Sequence, residues 1–163
     1  EVKIEKDCVI FIATNQPVAV DLRVIQSIYK LSSDLERIGD QAKDISKLIL
    51  EMDSNIYDAT HEKTVKMANE VKEMVSNAIR SFLNREINLA FDVVKKDLII
   101  DDFYMELKKE IFSKIECNDI IGKRDYMNLM FIVKYLEKMG DHAENIANWI
   151  IYNVAGEFVK KGE

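Results

Sequence analysis

Two short segments of the chain carry acidic side chains at a spacing that suits metal binding. Each segment holds a glutamate, an aspartate four residues later and a further carboxylate or amide oxygen four residues after that. Side chains four apart lie on one face of a helix, about 6 Å apart along its axis, so the carboxylates repel one another until a cation neutralises them. The candidate metal ligands are Glu36, Asp40 and Asp44 in the first segment and Glu137, Asp141 and Asn145 in the second.

Another carboxylate pair, Asp97 and Asp101, has the same spacing and precedes the second segment. Asp97 also interrupts an apolar row between Val93 and Ile100. If the two helices are adjacent, the two pairs converge on one cation, and all-oxygen ligation suits magnesium, calcium, manganese or iron. In a chain with 29 acidic residues an isolated pair is more often a solvated face. The repetition and the neighbouring pair favour a metal site here.

A glycine lies between the glutamate and the aspartate of each segment, at Gly39 and Gly140. Glycine in the middle of a helix costs roughly 1 kcal/mol relative to alanine. Its presence in both segments predicts that a neighbouring helix or a ligand approaches the backbone closely there. Because the acidic side chains occupy the flank away from the apolar seam, the metal site is expected to be open and near the surface.

The two histidines are weaker candidates for metal ligands. His142 lies about 100° around the helix from Asp141, so we expect it on the surface or behind the ligands, and His61 lies near a helix start. A ferritin-like di-metal oxidase would require Glu-x-x-His pairs that point into a bundle core, and neither histidine has that spacing. We therefore predict no enzyme. The other alternative is a metal-free structural adaptor.

The apolar pattern that must position these side chains is helical throughout. In residues 18–52 the apolar side chains recur at alternating spacings of three and four, the repeat of a packed helix seam. Pro17 is expected in the first turn of this helix. One proline and five glycines are too few for a turn-rich β fold, so the class is all-α. Other helices are predicted before residue 15 and over residues 62–84, 88–116 and 123–158, with a loop at 53–60 and a turn at 118–122.

The last predicted helix repeats the seam of the second at a shift of 101 residues. Residues 35–45 and 136–146 are identical at six of eleven positions, and these include the glutamate, glycine and aspartate of the acidic motif. The chain is therefore an internal duplication. The repeated seam residues of the last helix are Leu129, Ile132, Leu136, Met139, Ala143, Ile146 and Ile150.

The duplication divides the chain into two units, residues 1–56 and 57–163. The second unit has three predicted helices, whereas the first has the end of one helix and one long helix. We expect tandem three-helix bundles of which the first is incomplete, with about half of a unit preceding residue 1. Apolar surface left bare in the first unit is expected to favour a homodimer or helix exchange.

Charge and cysteine content narrow the classes of partner. A net charge of −6 provides no basic stripe for a nucleic acid. Two widely separated cysteines, Cys8 and Cys117, favour a reducing cytoplasm, and both are expected to be buried. No apolar stretch approaches the ~20 residues that span a bilayer. Contact with a membrane is therefore predicted only through a membrane protein.

The two acidic segments resemble the repeated signature of the PhoU family. Residues 35–40 read Leu-Glu-Arg-Ile-Gly-Asp, and residues 136–141 repeat them with lysine and methionine substituted. Residues 16–23 also resemble the family's connection into its third helix. The resemblance spans nearly the whole chain. It implies two tandem three-helix bundles whose surfaces bind multinuclear metal clusters through Glu/Asp-x-x-x-Asp motifs, with iron, manganese, zinc or magnesium as the candidate ions.

The resemblance also implies a division of the ligands and a regulatory role. Family members carry a first helix and an acidic pair ahead of the position of residue 1, so only the second site is expected to be complete. The implied role is a negative regulator that couples a phosphate ABC transporter ATPase to a membrane sensor histidine kinase when phosphate is plentiful. The first implied site comprises Glu36, Asp40 and Asp44, and the second Asp97, Asp101, Glu137, Asp141 and Asn145.

Overall fold

A computed structural model describes residues 1–52, 57–117 and 120–156, and the side chains of residues 120 and 121 lie outside this description. The described residues form helices joined by short connections and contain no strand, which confirms the all-α prediction. The helices are α1 (Val2–Asn15), α2 (Val20–Leu50), α3 (Ala59–Asn84), α4 (Ile87–Cys117) and α5 (Ile120–Ala155).

Two helix starts differ from the sequence prediction. Pro17 lies ahead of α2 instead of in its first turn, because Gln16 and Ala19 both adopt positive φ angles, of 47° and 48°, and delay the helix to Val20. The helix α5 begins at Ile120, so the predicted turn at 118–122 is wrong from residue 120 onward, while residues 118 and 119 lie outside the described part. Gly122 is buried within α5. A single glycine is therefore too weak a signal for a turn.

The helices α3, α4 and α5 pack against one another as a three-helix bundle, and α2 packs on the outside of α5. Among the described residues α1 contacts only α2. The seam predicted for α5 lies in the core, where six of its seven residues are buried and Met139 is partly buried. In α2 only Ile38 of the equivalent seam is buried, and among the described helices α2 packs against α5 and the shorter α1.

The helices α2 and α5 run antiparallel. The Ser27 hydroxyl donates to the Trp149 carbonyl at 3.3 Å, and Asp34 Oδ1 lies 2.8 Å from His142 Nδ1. The two residue numbers add to 176 in both pairs, so the contact is in register along the two helices. Because α5 repeats α2 at a shift of 101 residues, this register relates the two helices by an approximate twofold axis.

One carboxylate ties three helices together at an end of the bundle. Asp58 is the N-cap of α3, and its Oδ1 accepts a hydrogen bond from the Thr60 amide at 2.9 Å and lies 3.0 Å from His61 Nδ1. Its Oδ2 accepts from the Tyr126 hydroxyl of α5 at 2.7 Å and lies 2.8 Å from Lys114 Nζ of α4. A single side chain thus caps one helix and bonds to the other two.

These contacts shift the pKa values of Asp58 and Tyr126. Burial alone would raise the pKa of the Asp58 carboxyl, but hydrogen bonds from Lys114, Tyr126, His61 and the Thr60 amide together hold that pKa well below its usual range. Burial and the hydrogen bond to Asp58 raise the pKa of Tyr126 to about 12. The bond therefore joins a carboxylate to a neutral phenol at any physiological pH.

Three further sequence predictions concern the cysteines, membrane-spanning helices and the division of the chain. Cys8 is buried as expected, but Cys117 is exposed, because it is the last residue of α4. Among the described residues, no helix combines the length and the apolar content that crossing a membrane requires. The division of the chain at residue 56 stays a prediction, since residues 53–56 lie outside the described part.

Candidate metal centre

The second carboxylate pair meets the second acidic segment where α4 crosses α5 at Gly140. A Cβ atom built on Gly140 would lie 3.3 Å from Asp97 Oδ1 and 3.3 Å from Ile100 Cγ2. Contacts of 3.0 to 3.4 Å at a Cβ are tighter than ordinary van der Waals contact. The close approach of a neighbouring helix predicted at this glycine is therefore confirmed, and the approaching helix carries Asp97.

For Gly39 the prediction of a neighbouring helix is wrong within the described part of the chain. A Cβ atom built on Gly39 would meet no atom of the described residues within 4 Å. Among the described helices, α1 and α5 contact α2, and neither places an atom within 4 Å of this position. The two glycines share the acidic motif around them and differ in tertiary surroundings.

The carboxylates of the second segment are less open than the sequence predicted. Asp97 and Glu137 are buried, whereas Asp141 is partly buried and Asp101 and Asn145 are exposed. The prediction of a site entirely near the surface is wrong for the first two, because they lie on helices α4 and α5, which pack against each other. The arrangement is a row that leads from the interface between α4 and α5 out to the solvent.

Two lysines neutralise this row. Lys134 Nζ lies 2.9 Å from Glu137 Oε2, and Lys138 Nζ lies 3.4 Å from Glu137 Oε1. The ammonium group of Lys138 also donates a short hydrogen bond to Asp141, which is the main reason that the pKa of Lys138 is raised. A cation thus already lies between the two carboxylates. The mutual repulsion expected from the sequence is offset within the chain.

No group of three or more histidine, cysteine, aspartate or glutamate side chains stands close enough to hold a metal ion within residues 1–52, 57–117 and 120–156. A metal at the second segment would have to displace the Lys138 ammonium and draw the carboxylates of α4 and α5 together. The residue chemistry fits such an ion, since the donors are carboxylates on adjacent helices.

Sequence reasoning missed Glu144, which is buried although its neighbour Asn145 is exposed. Glu144 follows Gly140 by four residues and Glu137 by seven, so it lies on the same face of α5 as both. That spacing is present in the sequence. The acidic motif, however, points to the neighbouring row, which ends at Asn145.

The first acidic segment is arranged differently. Glu36 and Asp40 are exposed, and neither forms an ion pair with another residue of the described part. Asp44 Oδ1 lies 2.7 Å from Lys47 Nζ. No described helix brings a second carboxylate pair to this face of α2. The first segment is therefore an exposed row with one lysine partner.

Both histidines are engaged away from the acidic rows. His142 is largely buried and bonds to Asp34 of α2, so the expectation that it lies on the surface is wrong. His61 is buried and completes the cap of α3 with Asp58, in agreement with its predicted place near a helix start. Neither side chain is available to a di-metal centre of the ferritin type in this arrangement.

Comparison with known proteins places the chain in a family. A family model described as the PhoU domain matches residues 1–49 and 64–150. The chain belongs to the PhoU family. A relative from Aquifex aeolicus, named phosphate-specific transport system accessory protein PhoU homolog, is 38% identical over 160 residues, which cover 98% of this chain and 72% of the relative.

Solved structures of PhoU proteins confirm the fold. The crystal structure of the phosphate transport system regulatory protein PhoU from Streptococcus pneumoniae matches with a TM-score of 0.86 and 29% identity, covering 98% of this chain and 74% of that one. The structure of PhoU from Pseudomonas aeruginosa matches with a TM-score of 0.89 and 31% identity, covering 95% and 74%. The resemblance to the PhoU family that the acidic segments indicated is thereby confirmed. It extends along nearly the whole chain.

Proposed function

We propose that this chain is a non-enzymatic accessory regulator of phosphate-specific transport. The observation that carries this proposal is the PhoU-family match over two stretches that include parts of all five helices. Relatives of the family are named as accessory or regulatory proteins of the phosphate transport system. In the proposed role the chain acts in the cytoplasm as a negative regulator, linking a phosphate ABC transporter ATPase to a sensor histidine kinase and contacting the membrane only through them.

The proposed site holds a divalent or trivalent metal ion, with iron, manganese, zinc and magnesium as candidates. The close approach of Asp97 to Gly140 supports this, because Gly140 lies between Glu137 and Asp141 in the sequence of α5. A bound metal would cross-link the two helices and fix the surface offered to a partner. The ligands proposed for this second site are Asp97, Asp101, Glu137, Asp141 and Asn145.

The first segment is proposed as a weaker site. Glu36, Asp40 and Asp44 lie on one helix, and no carboxylate pair from a second described helix faces them. Fewer ligands and greater exposure both reduce the affinity of such a row for a cation. The first segment therefore serves as a control for metal binding at the second segment within one molecule.

A metal-free helical adaptor is the second candidate. The specific observation that favours it is the neutralisation of Glu137 by Lys134 and of Glu137 and Asp141 by Lys138. With these ion pairs in place the negative charges of Glu137 and Asp141 are balanced without a metal. The two candidates share the regulatory role and differ only in whether a metal is needed to fix the surface.

The metal proposal predicts a selective loss of binding in one double variant. Glu137→Gln/Asp141→Asn should lower the affinity for manganese or iron at least about 100-fold in calorimetric titration, because it removes two charged ligands. The matched variant Glu36→Gln/Asp40→Asn changes the equivalent residues of the first unit. It should leave the tight binding unchanged. Elemental analysis of both purified proteins gives an independent reading of occupancy.

Other outcomes of this experiment would exclude the metal site. Equal losses in the two double variants would mean that binding is a general property of acidic rows. Absence of any bound metal in the unsubstituted protein would favour the metal-free adaptor. Circular dichroism must show the same helix content in all three proteins, since a loss of helix in the Glu137 variant would indicate a structural role for the ion pairs.

The regulatory proposal is tested by binding to the transporter. Purified chain should bind the purified ATPase subunit of the phosphate transporter from the same organism in surface plasmon resonance, with and without added manganese. Binding that depends on metal and is lost in Glu137→Gln/Asp141→Asn would support both proposals. Metal-independent binding would support the adaptor alone, and no binding to either the ATPase or the kinase would contradict the regulatory role.

A further inference from the structure

Lys138 contacts two of the carboxylates proposed as metal ligands at the second segment. Its Nζ lies 3.4 Å from Glu137 Oε1 and forms a short hydrogen bond with Asp141 Oδ2. One ammonium group therefore contacts one oxygen of each carboxylate. Two cations repel each other at such short range, so they do not share these oxygens. An ion held by both carboxylates therefore requires the Lys138 ammonium to leave.

Lys134 is held differently, although it also pairs with Glu137. Its Nζ lies 2.9 Å from Glu137 Oε2 and 4.9 Å from the ring centroid of Tyr104 on α4. A cation over an aromatic ring at this distance is attracted to the ring face. The two oxygens of Glu137 are thus divided between the two lysines. Lys134 orients the glutamate from one side and leaves Oε1 to Lys138.

The side chain of Lys138 has an open route to solvent. It is 41% exposed, whereas the side chain of Glu137 is 11% exposed. Among the described residues its carboxylate partners are Glu137 and Asp141. A long lysine side chain moves its charged end into water easily, because that end is strongly hydrated there. Its departure therefore costs the two ion pairs and leaves the helix packing in place.

We infer that Lys138 competes with the metal for the second site and thereby sets the affinity of that site. This inference rests on the metal site proposed above. When an ion binds, Lys138 leaves the two carboxylates, and Lys134 stays on Glu137 and Tyr104. The same two ion pairs break whichever divalent ion binds, so the competition raises every dissociation constant by one common factor. An ion that binds protein carboxylates weakly, such as magnesium, is therefore excluded first.

The internal duplication supplies a matched control for this competition. At the shift of 101 residues Lys138 corresponds to Arg37, and Lys134 corresponds to Ser33. Arg37 is exposed, and its guanidinium pairs with no carboxylate within residues 1–52, 57–117 and 120–156. The first segment thus has a basic residue at the same place in the motif but no ammonium held between its carboxylates. Competition by a basic side chain is therefore expected only at the second segment.

Calorimetric titration of manganese and of magnesium tests the competition. The proteins compared are the unsubstituted chain, Lys138→Met, Lys138→Arg and Arg37→Met. Lys138→Met should lower the dissociation constant about tenfold for each ion, because a bound ion no longer has to break two ion pairs. Methionine is similar in length and equally suited to a helix. Lys138→Arg keeps the charge and should not tighten binding, and Arg37→Met should leave it unchanged.

Removing any nearby positive charge would also favour a cation, so the departure of Lys138 needs its own measurement. Brief acetylation followed by mass spectrometry reports how accessible each lysine amine is. Saturating manganese should increase the labelling of Lys138 about threefold or more, because its ammonium has left the carboxylates. The labelling of Lys134 should stay the same. In Glu137→Gln/Asp141→Asn the labelling of Lys138 should be high without metal.

The outcomes separate this inference from the metal proposal on which it rests. Metal binding with equal dissociation constants for the unsubstituted chain and Lys138→Met would overturn the inference and leave the metal site standing. Labelling of Lys138 that is indifferent to manganese would do the same. A gain in affinity for only one of the two ions would also contradict it, since the broken ion pairs are the same for both. Absence of metal binding in every variant would overturn both proposals together.

Discussion

Asp58→Ala is expected to lower the free energy of unfolding by about 3 kcal/mol. Loss of an N-cap costs about 1 kcal/mol, and loss of hydrogen bonds to a charged group from partly buried partners adds about 1.5 to 3 kcal/mol. The substitution removes the cap of α3, the acceptor of the buried Tyr126 hydroxyl and one partner of the Lys114 ammonium. Urea unfolding at pH 7, followed by circular dichroism, measures the difference.

The contribution of Asp58 should also depend on pH in a defined direction. The folded-state pKa of this carboxyl is depressed, so its stabilising effect is fully present above the unfolded pKa of about 3.9 and is lost as the pH falls below it. Asp58→Asn keeps a capping side chain but removes the charge. Its deficit relative to the unsubstituted chain should shrink between pH 5 and pH 3.

Controls on the same cluster make this prediction specific. Tyr126→Phe removes one hydrogen bond and should cost about 1.5 kcal/mol, and it should reduce the pH dependence only in part, because the charge of Asp58 stays paired with Lys114. If Asp58→Asn and the unsubstituted chain showed the same difference at every pH down to 3, the carboxylate would not be bonded as described. Equal stabilities at pH 7 would exclude the cluster as a link between helices.

Leucine at the two duplicated glycines should have opposite effects. Gly140→Leu is expected to lower the free energy of unfolding by about 2 to 3 kcal/mol, because the new side chain must push α4 away at Asp97 and Ile100. Gly39→Leu should instead raise it by about 0.5 to 1 kcal/mol, because the position is open and leucine is the better helix former. Each variant serves as the control for the other.

Denaturant unfolding of the two glycine variants gives the measurement directly. The expected separation between them, about 3 kcal/mol, exceeds the error of the method for a chain of this size. If both substitutions stabilised the chain, α4 would not approach Gly140 closely in solution. If both destabilised it, Gly39 would face a partner that is absent from this single chain, such as a second copy.

The periodicity of apolar residues predicted most of the fold because it is a local signal. The ends of α3 and α4 and the buried seam of α5 follow from spacing alone. The start of α2 does not, since it depends on the positive φ angles of Gln16 and Ala19, residues that rarely adopt them. The spacing of apolar residues does not encode such backbone angles and therefore does not predict this boundary.

The candidate site was only partly predictable, because a local sequence pattern does not report which helices pack against it. The motif identified the carboxylates, but Gly39 and Gly140 lie in the same motif and have different neighbours. The neutralising role of Lys134 and Lys138 and the burial of Glu144 depend on which helix covers which flank. Sequence therefore identified the candidate ligands. Their burial and their charge partners required the packing of α4 on α5.

The antiparallel contact between α2 and α5 has a consequence for the order of folding. Its hydrogen bonds join residues 122 and 108 positions apart in the chain, whereas α3, α4 and α5 follow one another through short connections. Closing a longer loop costs more entropy before any contact compensates for it, and local contacts form faster. The helices α3 to α5 should therefore assemble first and offer the face of α5 to α2. Amide hydrogens of α2 and α1 should accordingly exchange with solvent sooner than those of the bundle.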